Sequence, residues 1–171
     1  WGEAAPAAAA KDPRLDALGG RWIAAPDTLT ADAGLAGYHA HRLALGVPDS
    51  ADTAGQFALD ANLEELHGVD FRKGCYVGQE VVSRMQHRGT ARTRTVRVRL
   101  DGSVPEIGLP VIAGDKPVGT MGSSSNGVGL ALLRTDRVSD ALDAGLPLTA
   151  GGLPISVVSA DDVAPPKKAS A

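Results

Sequence analysis

The chain has 171 residues, 17 basic and 20 acidic side chains, a formal net charge of −3, and 43% hydrophobic residues. That balance suits a folded protein with an ordinary core and excludes a disordered chain or a strongly basic nucleic-acid binder. No apolar run reaches the roughly 18 residues of a membrane-spanning helix, so no membrane partner is expected. One cysteine cannot form an internal disulfide, and its scarcity fits a reducing compartment, which makes the cytoplasm the expected localisation.

The Ala/Pro-rich residues 1–10 read as a linker. Residues 21–25 predict a short strand, broken by Pro26-Asp27. From there to Leu45 the pattern is helical, with Asp27, Thr28 and Thr30 available as N-caps and Gly46 and Pro48 as stop signals. Gly34 and Gly37 interrupt it, so one long helix and two shorter ones both fit. Residues 57–66 read as a short helical or turn segment. A helix over 78–88 places Val81, Val82 and Met85 on one apolar face, a pattern of core packing. Glu80 lies in its first turn, Arg84, His87 and Arg88 lie toward its end, and Gly89 is the left-handed terminator.

Beyond Gly89 the period becomes two, with Val96, Val98 and Leu100 alternating with Arg97 and Arg99. Short apolar pieces follow at 110–113, 116–121, 128–133, 146–150 and 154–159. Gly and Pro punctuate them as in a small antiparallel barrel. A helical insertion over 135–144 is capped by Thr135 or Asp136 and stopped by Gly145. The run Gly122-Ser123-Ser124-Ser125-Asn126-Gly127 reads as a hairpin loop, and residues 161–171 as a charged, disordered tail. The fold class is α+β.

The segment Lys73-Gly74-Cys75-Tyr76-Val77-Gly78-Gln79-Glu80 sets the only cysteine on a glycine-flanked turn that feeds a helix. Two readings stand. Free cysteine is most often buried; alternatively, Arg72, Lys73 and the positive end of the helix favour a thiolate. Gln79 can both donate and accept, and Glu80 can bond free donors of the first helical turn. Tyr76 can stack on a planar ring or bury with its hydroxyl bonded. From Val81 to Leu100 there are six arginines (84, 88, 92, 94, 97 and 99), His87 and no acid. Such a stretch can receive an anion, or it can solvate strand edges. With two Trp, two Tyr and two Phe there is no evident stacking platform, and nucleic-acid binding is not expected. His39 and His41 would point to different helix faces, His67 and His87 stand apart, and no C-x-x-C spacing exists, so a complete metal site is not expected.

The octapeptide resembles the signature of the YgfZ family of folate-binding proteins. Their mitochondrial relatives assist iron–sulfur cluster assembly, and both lie in the superfamily of the glycine-cleavage aminomethyltransferase, the T-protein. Asp12-Pro13-Arg14 with Leu18-Gly19 and Arg21 is similar to an upstream segment of that family. So are Arg42, Gly46 and Pro48, then Phe57 and Asn62-Leu63, and, after the signature, Arg84 and Arg88-Gly89. The likeness covers about residues 11–160. It implies that 11–89 form a partial folate-binding α/β module, the C-terminal part of an aminomethyltransferase-like domain. It implies that 90–160 form a small antiparallel β-barrel of the T-protein C-terminal type. Against that family the chain starts at Trp1, about halfway along, so part of the folate pocket is expected to lie outside it. Ala44, in Arg42-Leu43-Ala44-Leu45-Gly46, stands where the aminomethyltransferases carry a glutamate, and it can neither accept a hydrogen bond nor hold a charge.

The resemblance implies support of iron–sulfur enzyme assembly or repair together with tetrahydrofolate, with effects on tRNA modification as an indirect result. Cys75 is expected as a reactive thiol or transient iron–sulfur ligand, completed by ligands from a partner or glutathione. Lys73, Tyr76, Gln79, Glu80 and Arg84 are expected to face folate or shape the turn, and the arginine stretch offers a seat for a folate glutamate tail. The expected partners are iron–sulfur assembly factors or client enzymes. Two other classes stay open: a folate-dependent aminomethyltransferase, against which Ala44 counts, and a non-catalytic partner-binding module in which Cys75 merely packs.

Overall fold

The computed structural model describes residues 7–25, 28, 33–88, 92–103 and 105–163. It opens on a short ladder, β1 (Ala10–Lys11) antiparallel to β2 (Gly20–Arg21). The strand expected over 21–25 is thus displaced. Only Gly20 and Arg21 find ladder partners, because β1 offers two residues, and 22–25 run on without one. Helix α1 (Leu35–Ala44) starts at an N-cap Gly34 with no side-chain cap. The caps expected at Asp27 and Thr30 lie outside the described residues, as do Pro26, residues 1–6, Gly89 and residues 164–171. The helix stops where expected. Val47 N–H bonds the Arg42 carbonyl and Gly46 N–H the Leu43 carbonyl, at 2.9 and 3.0 Å, a Schellman ending. Helix α2 (Ser50–Thr53) follows on a capping box in which Asp49 and Asp52 each bond the other's end of the turn.

Residues 57–66 are successive turns rather than a helix, and Asn62 lies in the left-handed region at φ 56°, which interrupts a right-handed run. Helix α3 (Gln79–Arg88) begins one residue later than expected. Gly78 has φ 88°, a conformation outside the helix, and serves instead as its entry, with its carbonyl accepting Val82 N–H at 3.4 Å. Val82 and Met85 face inward against Ala58, Leu59 and Val69, whereas Val81, expected on the same face, is exposed.

The alternating C-terminal half closes into a six-stranded antiparallel barrel. Its strands are β3 (Thr93–Leu100), β4 (Pro110–Ala113), β5 (Lys116–Ser125), β6 (Val128–Arg134), β7 (Leu148–Ala150) and β8 (Leu153–Val157). Their order around the barrel is β3-β6-β5-β4-β7-β8. Val96, Val98, Val111, Val118, Met121, Ala131, Leu133, Leu148, Ala150 and Ile155 fill the inside. Helix α4 (Thr135–Asp143) contributes Val138 and Ala141 to the same core. Its N-cap is Arg134 rather than Thr135 or Asp136. Helix α1 lies across the outer face of β5 and β6, so β6 is buried on both sides, with Leu130 as closed off as Leu133. The hairpin loop is shorter than expected. Gly122–Ser125 continue β5 past a register shift, and the turn is Asn126-Gly127, both at positive φ as tight hairpins require. No described helix is long and apolar enough to cross a membrane.

Candidate functional site

Cys75 is exposed, on the turn that enters α3. The turn is held by one side chain. The Gln79 amide oxygen accepts the Tyr76 N–H at 2.9 Å, and its amide nitrogen lies 3.9 Å from Cys75 Sγ, the reach of a weak hydrogen bond to sulfur. The helix entry at Gly78 is what swings Gln79 back over the turn. Lys73 Nζ stands 4.9 Å from the centre of the Tyr76 ring, a cation–π contact, and Tyr76 is half-buried. Val77, two residues after Cys75, is fully exposed, and Phe71 and Val81 are partly so. The packing alternative for Cys75 therefore has no burial behind it in this chain.

Glu80 and Arg84 form an exposed i,i+4 pair at 3.2 Å. With Gln79 engaged by the turn and Glu80 by Arg84, the polar groups singled out around Cys75 are spent mainly on one another. Together they do not form a closed cradle for a pteridine ring. Among the described residues no group of three His, Cys, Asp or Glu could hold a metal ion, so a cluster at Cys75 would need other ligands from elsewhere.

Four arginines of the stretch, Arg84, Arg92, Arg94 and Arg97, are engaged by acids within the fold. Arg94 donates to the Leu59 carbonyl at 2.7 Å and pairs with Glu64. Arg97 donates to the Ala44 carbonyl at 3.2 Å and lies 3.7 Å from Asp162, so it braces α1 rather than solvating a strand edge. Arg92 approaches Asp136 at 3.9 Å, and Arg99 is exposed.

Two charged clusters went unread in the sequence as clusters. Asp12, buried, takes a two-pronged bond from Arg14 at 3.0 and 2.8 Å and a third contact from Arg21 at 3.2 Å. Arg14 also reaches Tyr38 Oη at 3.2 Å. The Arg14 hydrogen bond, against the opposing effect of burial, brings the Asp12 carboxyl down to about 2. The second cluster centres on Arg42, which is 1% exposed. It meets Asp52 at 2.8 Å, Asp49 at 3.0 Å, the Val47 carbonyl at 3.1 Å and His39 Nδ1 at 3.1 Å. Asp52 in turn accepts Ser123 N–H from β5 at 2.6 Å. Burial pushes the Asp52 carboxyl up, but the bonds from Ser123, Asp49 and Arg42 outweigh it and leave it lowered. Both clusters are scaffolding. The first ties the N-terminal ladder to α1, and the second fixes α1 and α2 to each other and to the barrel.

Residues 92–164 match the family of the CAF17 C-terminal beta-barrel domain. Similarity to individual relatives points the same way. The mitochondrial iron–sulfur cluster assembly factor IBA57 of Mus musculus is 36% identical over 114 residues, which is 61% of this chain and 32% of the relative. The Homo sapiens protein of that name is 34% identical over 113 residues, with the same two shares of 61% and 32%. The Neurospora crassa homologue is 38% identical over 113 residues, 59% of this chain and 26% of its own length. The chain thus spans about a third or less of the length of the relatives it matches. Their names place them in mitochondria, which overturns the cytoplasmic expectation. Low cysteine content reports only reducing conditions and does not tell one compartment from another.

Proposed function

We propose that this chain acts in the assembly or repair of iron–sulfur proteins, as a YgfZ-like protein whose exposed Cys75 meets the cargo or a partner's sulfur. The observation that carries the reading is the thiol itself. It stands in solvent, on a turn fixed by Gln79, within the signature octapeptide. The names of the relatives supply the process. As a ligand, Cys75 would release its proton to solvent and give a sulfur electron pair to iron. One thiolate is one ligand, and a cluster takes about four, so a partner completes the set. Tetrahydrofolate belongs to this reading as a ligand that the Cys75 turn alone does not cradle. Altered tRNA modification would follow indirectly, through iron–sulfur enzymes left without clusters.

The test is the activity of an iron–sulfur enzyme in cells that depend on this protein, with Cys75→Ser against the unchanged chain. Loss of enzyme activity at unchanged protein level is expected. Full support by the serine variant would remove the thiol and leave the barrel as a partner-binding module.

A further inference from the structure

Strand β6 leaves the start of β5 without a partner. The two strands run in register from Gly119 opposite Leu133, and the chain turns into α4 at Thr135. Lys116, Pro117 and Val118 of β5 therefore stand beside a helix on the side where a strand would pair. A helix with its side chains is about 10 Å across, against about 5 Å between paired strands, so the substitution opens space. The space is a cleft of about 600 Å³ between α4 and the β4–β5 hairpin. That volume lies within the range of small-molecule sites, about 300–1,000 Å³.

Two ties hold the walls in place. Gly114 N–H of the hairpin turn bonds the Pro147 carbonyl at 3.4 Å. Helix α4 closes on a Schellman ending, with Leu146 N–H on the Ala141 carbonyl at 2.9 Å and Gly145 N–H on the Leu142 carbonyl at 3.0 Å. The ending lays Leu146 against the hairpin, its Cδ1 3.5 Å from where a Cβ on Gly114 would stand. The second tie is Arg137, whose Nη1 donates to the Pro117 carbonyl at 3.1 Å. The lining divides by chemistry. Ala113, Val118 and Ala141 are buried members of the barrel core, and Pro117 and Leu146 add apolar walls. Lys116, Arg137 and Asp140 are exposed at the rim, and among the described residues none of the three is in an ion pair. Two cations against one carboxylate leave the rim positive. No lining residue belongs to the Cys75 turn or to α3.

We propose that this cleft binds a small monocarboxylate with an apolar body. The body covers Val118, Ala141 and Leu146, and the carboxylate takes charge-assisted bonds from Arg137 and Lys116. Arg137 is suited to this because the Pro117 carbonyl already fixes part of its fork, so little freedom is lost when the remaining N–H groups bind. Asp140 limits the charge that fits. A second carboxylate on the ligand meets its repulsion, a cationic head meets that of Lys116 and Arg137, and a neutral head leaves both cations unmatched.

The test is a titration of the whole 171-residue chain at neutral pH, read by NMR of its methyl and amide groups. Octanoate, suberate, octanol and octylamine serve as probes of one body length. Octanoate is expected to shift the signals of Val118, Ala141 and Leu146 to saturation, and to bind about tenfold more tightly than the other three. The double variant Lys116→Gln, Arg137→Gln should weaken octanoate by about tenfold or more, and Asp140→Asn should narrow the gap between octanoate and suberate. Octanol that binds as tightly as octanoate would make the cleft an apolar face with no call for a carboxylate, and overturns the proposal. So do octanoate shifts that spread without saturation over other exposed apolar residues such as Ile107 and Phe57, or octanoate affinity unchanged in the double variant. Should the double variant unfold, the ranking of the four probes and the Asp140→Asn response decide. The outcome is independent of the Cys75→Ser test.

Discussion

Cys75 and Arg42 are both singular residues of this chain, and the surroundings of each set a different expectation. Cys75 is exposed, so alkylation in the folded chain should run at a rate close to that of the unfolded control. A thiol that stays silent until denaturation would contradict the exposed turn. Gln79→Leu should change that rate by freeing Tyr76 N–H and removing the amide 3.9 Å from Sγ, while Gln79→Glu should slow alkylation by placing a carboxylate there. Arg42 is the opposite case. Arg42→Met leaves Asp52 buried without its guanidinium and should cost about 3–5 kcal/mol in urea denaturation. A loss within about 0.5 kcal/mol would mean that Ser123 N–H and solvent suffice for Asp52. The motif around Arg42, Gly46 and Pro48 was legible; the partners were not. Asp52 lies ten residues on, in a separate capping box, and no local period links a helix cation to it.

Among the elements, the strands were legible because one face of each is buried, and their edges were not, because pairing decides them. Strand β5 shows this. Its expected end at Met121 is where apolar alternation stops, yet Ser124 and Ser125 still pair with Gly129 and Val128 after a register shift. A ladder partner extends a strand that side-chain pattern would end. Gly119 belongs to the same strand, and it was read only as punctuation. A Cβ there would stand 2.1 Å from the Leu132 carbonyl oxygen and 2.8 Å from Leu133 Cδ2, both on the paired strand. Gly119→Ala should therefore cost about 3 kcal/mol or more and lower the melting temperature of the barrel. Gly34→Ala, with nothing within 4 Å of its Cβ, is the control, and equal losses in the two would exclude close packing as the cause. The segment 57–66 was open between helix and turn for a physical reason. Its carbonyls and Asn62 serve the free edge of β3, a demand that comes from the barrel and leaves no trace in local periodicity.

For the whole molecule, the carboxyls pull stability in two directions as pH changes. Asp12, Asp52 and Asp136 are held below their ordinary 3.8. Arg14 holds the first and Arg134 the third, while at Asp52 the bonds from Ser123, Asp49 and Arg42 prevail over burial. Each bonded carboxylate releases its proton more readily folded than unfolded. Its contribution is present above 3.8 and is lost as pH falls through the folded value, about 2 for Asp12. The step from 3.8 to about 2 is worth about 2 kcal/mol for Asp12, an upper figure because Arg21 is half exposed. Asp60 and Glu65 act in the opposite sense. Raised in the fold, they cost stability at neutral pH and return it as pH falls toward 3.8 and 4.5. Thermal melts taken from about pH 8 to about pH 3 should therefore rise to a maximum near about pH 5 and then drop. Asp12→Asn should flatten the acid side alone, and the Asp60→Asn, Glu65→Gln pair should flatten the neutral side alone. A curve that falls steadily from neutral pH would show that the depressed carboxyls dominate throughout, and that Asp60 and Glu65 cost the fold little at neutral pH.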